Sequence, residues 1–261
     1  MRSIWKGHIR FSLVTIPVQI FNAIETKSDI SFNQLHNKDN GRIRYKKECT
    51  VCNNEVPYND IVKGYEYEPD QYVVLDKTDF AGIKLKSNRA IDIEAFVDIE
   101  EVNPIRFEAA YYVGPNGDIA QSTFALLRET LINTKKAGVG RIILRDKEDV
   151  ILLVPEKDGI VMYKLRYPYE VRKISNIPGI KKAEIDGSQL ELAQTLVDSL
   201  TKPFEDVDFE DRYRDALLEL VEDKIAGKEI VTITDVEDES PVIDIMDALK
   251  KSIAEAKKKA G

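Results

Sequence analysis

Residues 141–166, RIILRDKEDVILLVPEKDGIVMYKLR, hold three short apolar runs, at 141–144, 150–154 and 160–166. Asp146, Lys147 and Glu148 punctuate the first gap, and Lys157, Asp158 and Gly159 the second. β-branched runs broken by polar turn residues read as an antiparallel meander. The same signature recurs upstream at 9–21, 72–75, 91–96 and 106–113. So many strands predict a closed or nearly closed barrel, and the fold class is α+β, mainly antiparallel β. One helix interrupts the strands, from a cap at Ser122 through Phe124, Leu127 and Leu131 to a stop at Gly138.

Beyond Asp186 and Gly187 the pattern turns helical. Ser188 with Glu191 forms a capping-box pattern, and Leu192, Leu196 and Leu200 continue one apolar face until Pro203. A second, acidic helix is expected over 208–225, stopped by Gly227. Residues 235–239, all acidic but Val236, read as a solvated linker. The final helix has Ser240 as N-cap and Pro241 in its first turn, and Val242, Met246, Leu249 and Ile253 form one narrow stripe. That stripe either folds back on the barrel or docks in a partner's groove.

The chain has 261 residues, 43% apolar and 32% charged, which suits a globular protein with a full core. The first residues lack the apolar core and cleavage site of a leader, and 9–21 is too short to span a bilayer. A cytosolic protein with reduced cysteines and no membrane partner is expected. The net charge of −8 argues at first against a nucleic-acid partner. The charge is segregated, however: 1–60 and 121–185 are net basic, while 61–120 and 186–250 are strongly acidic. Screening over roughly 8 Å lets a local basic surface bind phosphate whatever the global charge.

The densest cations lie at Arg42, Arg44, Lys46 and Lys47, just after the turn signal Asn40-Gly41. On a strand, Arg42, Arg44 and Lys46 would share one face, repeating at about 6.5 to 7 Å, a spacing suited to tracking a polyphosphate backbone. A solvated edge guarded by charge is the plain alternative. His8 and His36 are the only histidines, and no nucleophile elbow, P-loop or dinucleotide fingerprint is present, so an enzyme reading has no anchor. Cys49 and Cys52 supply half of a tetrahedral metal site, which only His36 or another chain's pair could complete. Reduced thiols packing a turn are expected there, with no metal and no cofactor.

Residues 5–18, WKGHIRFSLVTIPV, followed by 37–45, NKDNGRIRY, closely resemble the bacterial Ku family of DNA-end-binding proteins, and the resemblance covers nearly the whole chain. It implies a SPOC-like barrel core over 1–185 with a DNA-encircling bridge at about 26–72, a helical arm over 186–230 and a C-terminal segment over 231–261. It implies a homodimer whose two barrels form a cradle, closed into a ring around duplex DNA by the bridges. Arg42, Arg44, Lys46 and Lys47 then face phosphates, joined by Lys38. Lys135, Lys136, Arg141 and Arg145 are candidates for the cradle wall.

The same resemblance implies non-homologous end joining at the nucleoid, with Val242, Met246, Leu249 and Ile253 engaging the ATP-dependent ligase D. Ku would not be the catalyst, although a lysine Schiff base at abasic ends is a side activity associated with the family. Only Lys257, Lys258 and Lys259 stand where some relatives carry a long Lys-rich tail, and Ser12 and His8 stand where many carry glycine and serine. The rival from another class is a barrel-based protein-interaction scaffold whose basic arm meets an acidic protein.

Overall fold

The computed structural model describes residues 1–25, 30–76, 78–80, 89–144, 147–180 and 184–227, with 249, 252 and 253 beyond them. The chain divides into two compact units, Met1–Asn176 and Ile177–Gly261.

The first unit is built on a closed barrel of seven strands: β1 (Trp5–Phe11), β2 (Val14–Asn22), β5 (Ala90–Asp98), β6 (Phe107–Pro115), β7 (Lys136–Leu144), β8 (Lys147–Glu156) and β9 (Gly159–Leu165). Around the barrel the order is β1-β2-β6-β9-β8-β7-β5. All neighbours are antiparallel except β1 and β5, which close the barrel in parallel. The expected meander is present as β7, β8 and β9, paired in succession through Leu144↔Lys147 and Glu156↔Gly159. Along β8, Ile151, Leu152 and Leu153 are all buried, so this central strand is covered on both faces.

The helix α1 (Asp118–Thr134) lays Ala120, Phe124, Leu127 and Leu131 against β2, β6, β7 and β8. These positions step by 4, 3 and 4, the period of one helical face. Burying each of the three large side chains stabilises the fold by roughly 1.5 to 3 kcal/mol. The helix begins and ends four residues earlier than the sequence suggests. Gly117, at φ 88°, occupies the N-cap in place of Ser122, and Lys135 turns left-handed at φ 54° to end it. Gly138 is a residue of β7, not a helix stop; a Cβ there would lie 3.4 Å from the Phe96 ring across the strand pair.

The run at 9–21 is two strands rather than one. Ser12, at φ 50°, and Leu13 turn the chain between Phe11 and Val14, and Leu13 is 99% exposed. An apolar residue at the tip concealed the turn. Gly7 and Gly140 are glycines by necessity: a Cβ would lie 2.0 Å from the Arg89 carbonyl oxygen and 2.3 Å from that of Asp92, respectively. Gly140 faces Ile93, where β5 shifts its register.

Between β2 and β5 a two-stranded ribbon, β3 (Lys63–Glu68) and β4 (Gln71–Leu75), carries no buried residue. Sequence reading anticipated β4 alone. The alternation Tyr65-Glu66-Tyr67-Glu68 was the period-2 signal for its partner.

The second unit contains α2 (Gly187–Leu200) and α3 (Arg212–Ile225), neither of which buries a residue. Asp186 rather than Ser188 caps α2, its carboxylate accepting the Ser188 and Gln189 backbone N–H groups at 2.9 and 3.1 Å. The Ser188 hydroxyl donates to the same carboxylate, so it is not free to cap. Asp211 caps α3 by accepting from the Arg214 N–H at 3.0 Å, four residues inside the expected start. The acidic linker at 235–239, the cap at Ser240 and the stripe residues Val242 and Met246 lie outside the described residues. Leu249 and Ile253 are described and helical.

Candidate nucleic-acid interface

The basic arm is organised from its turn outward. The His36 N–H donates to the Gly41 carbonyl at 2.8 Å, the Asn40 N–H to the His36 carbonyl at 2.8 Å, and the Ile43 N–H to the Gln34 carbonyl at 3.0 Å. The Asp39 carboxylate fills the loop, taking the Gly41 N–H at 2.8 Å and meeting His36 Nδ1 at 3.0 Å. Asn40 adopts the left-handed conformation at φ 57°, as the turn signal suggests, whereas Gly41 does not. Beyond one bridge between Leu35 and Arg42 the ladder stops, so the expected strand over 42–47 is an extended segment without regular pairing. A second bridge, Glu48↔Glu55, starts the next small loop.

This local network orders the backbone while leaving its cations in solvent. Lys38, Arg42, Arg44, Lys46 and Lys47 are all exposed. Lys46 lies 2.7 Å from the Glu55 carboxylate, and the Lys47 ammonium sits 5.0 Å from the centroid of the Tyr58 ring. Among the described residues Lys38, Arg42 and Arg44 have no carboxylate within ion-pair distance. They keep their full charge for a ligand. Lys63, over the Phe80 ring at 4.6 Å, adds a further cation at the base of the ribbon that sequence reading did not single out.

The second basic block fares differently. Arg141 on β7 reaches Glu94 of β5 at 2.8 Å and Glu148 of β8 at 3.0 Å. Those two carboxylates, Glu94 first, hold its guanidinium above the ordinary arginine value. Lys136 lies 2.7 Å from Asp98. The barrel thus brings acids from strands distant in sequence onto these cations, cancelling charge that the local count leaves free. Lys135, exposed, ends α1, and Arg145 lies outside the described residues.

Lys164 is the most enclosed lysine with a displaced titration. Burial works against its charge, but bonds from Glu108 at 3.1 Å and Asp149 at 3.2 Å outweigh it and hold the ammonium above the ordinary lysine range. A Schiff-base lysine needs the opposite shift.

The Ku70/Ku80 beta-barrel domain matches residues 10–192, a span that takes in the whole barrel and the basic arm. This chain belongs to the Ku family. It is 40% identical to the non-homologous end joining protein Ku of Archaeoglobus fulgidus, over 98% of this chain and all of that one. It is also 40% identical to the Bacillus subtilis protein of the same name, over 97% of this chain and 82% of that one. The Symbiobacterium thermophilum relative is 40% identical over the full length here, and this chain spans 65% of its length. In Ku terms, the closed barrel is the family domain, and the arm over 30–76 is an insertion between its second and third strands in sequence order. Among the described residues of this Ku chain no helix is long and apolar enough to cross a membrane.

Proposed function

We propose that two copies of this chain form a ring that threads onto the ends of double-stranded DNA and serves non-homologous end joining. The observation that supports this most is the basic arm. Lys38, Arg42 and Arg44 stand in solvent with no carboxylate against them, on a backbone held by its own hydrogen bonds. Phosphate binding needs this arrangement, because a cation already paired to a carboxylate releases no counterion when DNA arrives. Lys46 and Lys47 extend the row, and Lys135, Lys136, Arg141 and Arg145 contribute to the cradle, Lys136 and Arg141 less because each carries its own acids.

The pairing of two copies accounts for the bare ribbon. An isolated two-stranded sheet is marginal in water, yet Tyr65, Tyr67 and Tyr72 of β3 and β4 are each more than half exposed. A second copy and a DNA backbone supply the cover that one chain lacks. Contacts to phosphates rather than bases make binding indifferent to sequence, and a closed ring makes it depend on a free end. The C-terminal segment, through Val242, Met246, Leu249 and Ile253, recruits the ATP-dependent ligase D, so this chain positions ends for a catalyst at the nucleoid. The names of its relatives place them in end joining, which supports the same role here.

The deciding experiment is a gel shift comparing a linear duplex with the same duplex closed by hairpins too wide to thread. Binding to the open duplex alone is expected. Equal binding to both would reduce the arm to a nonspecific basic surface and reject the ring.

A further inference from the structure

Residues 47–56 fold into a small knuckle between the basic arm and the ribbon. The Val56 N–H donates to the Lys47 carbonyl at 2.8 Å, the Cys49 N–H to the Asn54 carbonyl at 3.0 Å, and the Asn53 N–H back to the Cys49 carbonyl at 2.8 Å. Asn53 is left-handed, at φ 53°, which lets the chain reverse directly after Cys52. The Lys46–Glu55 ion pair ties the base. The reversal brings the two thiols within hydrogen-bonding reach of each other, and the Cys52 and Val51 backbone N–H groups both point at the Cys49 sulfur, holding its thiol below the ordinary range. Both cysteines are free; Cys52 is exposed and Cys49 partly so.

Two thiols aimed together, with backbone N–H groups turned on one sulfur, are half of a tetrahedral thiolate site, and N–H donors of this kind stabilise a ligating thiolate. The chain has two cysteines in all. Among the described residues no third His, Cys, Asp or Glu joins them in a metal-sized group, and the His36 ring is turned to Asp39. A closed structural zinc site takes four ligands. The missing pair has to come from another molecule, and a second copy of this chain carries one of the same geometry.

We infer that Cys49 and Cys52 bind a thiophilic divalent cation, Zn²⁺ by its tetrahedral preference, shared with the same two residues of a second copy, so that the cation staples one arm to the other. The inference rests on the pairing of two copies proposed above. Each thiol gives up its proton as its Zn–S bond forms, so binding releases protons and requires reduced cysteines.

The test uses the full chain, purified with reductant after growth in zinc-supplemented medium, and reads metal content by mass spectrometry beside oligomeric state by light scattering. Half as many zinc ions as chains are expected. Substituting Co²⁺ should give the ligand-field bands of a tetrahedral tetrathiolate, and Cys49→Ser or Cys52→Ser should each abolish both signals while the barrel's circular dichroism is unchanged. A dimer without metal, or with a Cys49–Cys52 disulfide under reductant, overturns the site and leaves the ring standing. Zinc on every chain overturns its sharing. A chain that stays monomeric with and without zinc overturns both the staple and the ring.

Discussion

At the scale of single residues, charge alone does not identify a binding cation; its neighbours do. Arg42 and Arg141 are indistinguishable in composition, yet one stands in solvent and the other is held between Glu94 and Glu148. Arg42→Glu combined with Arg44→Glu is expected to abolish binding of linear duplex while thermal unfolding stays within about 0.5 kcal/mol of the parent, the usual range for exposed positions. Arg141→Ala is not a comparable probe, since it strands two carboxylates. Gly140 makes a different point. Its Cβ would enter the Asp92 carbonyl, so Gly140→Ala forces β5 and β7 apart and should cost about 1 to 3 kcal/mol in denaturant unfolding. Wild-type stability in that variant would mean that the bulge in β5 absorbs the methyl. The basic row was legible because four cations fall within six positions. The pairing of Lys136 and Arg141 was not, because their acids arrive from β5 and β8.

At the scale of elements, end signals decided the outcome more than interior patterns. The apolar face of α1 was legible from Phe124, Leu127 and Leu131, but its bounds were set by Gly117 and Lys135, both left of any hydrophobic period. The cap of α2 carries a pH dependence. Ser188, Gln189 and the Ser188 hydroxyl, the last the largest influence, bond the charged form of Asp186 and hold its carboxyl below the ordinary value. A carboxylate depressed in the folded state stabilises it above the unfolded pKa, and that contribution is lost as pH falls through the folded pKa. Helix content measured by circular dichroism should therefore decline at pH below the usual carboxylate range, and Asp186→Asn should flatten the decline. The C-terminal helix belongs to a separate function. Deleting residues 240–261 is expected to spare DNA binding and to remove stimulation of ligase D in a ligation assay; undiminished ligation would sink the docking assignment.

At the scale of the whole molecule, the proposed ring ties affinity to ionic strength. With three to five cations offered by each arm and two arms per ring, affinity for a linear duplex should fall about a thousandfold or more between roughly 50 and 200 mM salt, as counterion release for six to ten phosphates requires. A shallow slope in a salt titration would leave too few phosphate contacts for the arms. A net charge of −8 does not oppose this, because the acids of 61–120 and 186–250 lie beyond the screening length of many arm positions or are consumed by cations of the barrel. By itself the sequence determined the strand-rich barrel, the helix that interrupts it, the helical C-terminal third, the basic arm and the family, because hydrophobic period, turn chemistry and clustered charge are local properties written in adjacent residues. Only the tertiary structure decided that 9–21 doubles back at Ser12, that β1 and β5 close the barrel in parallel, which cations keep their charge, and that Cys49 and Cys52 face each other. Those depend on which backbones and carboxylates meet across more than forty residues of chain, as Arg141 meets Glu94, and no local pattern encodes such a meeting.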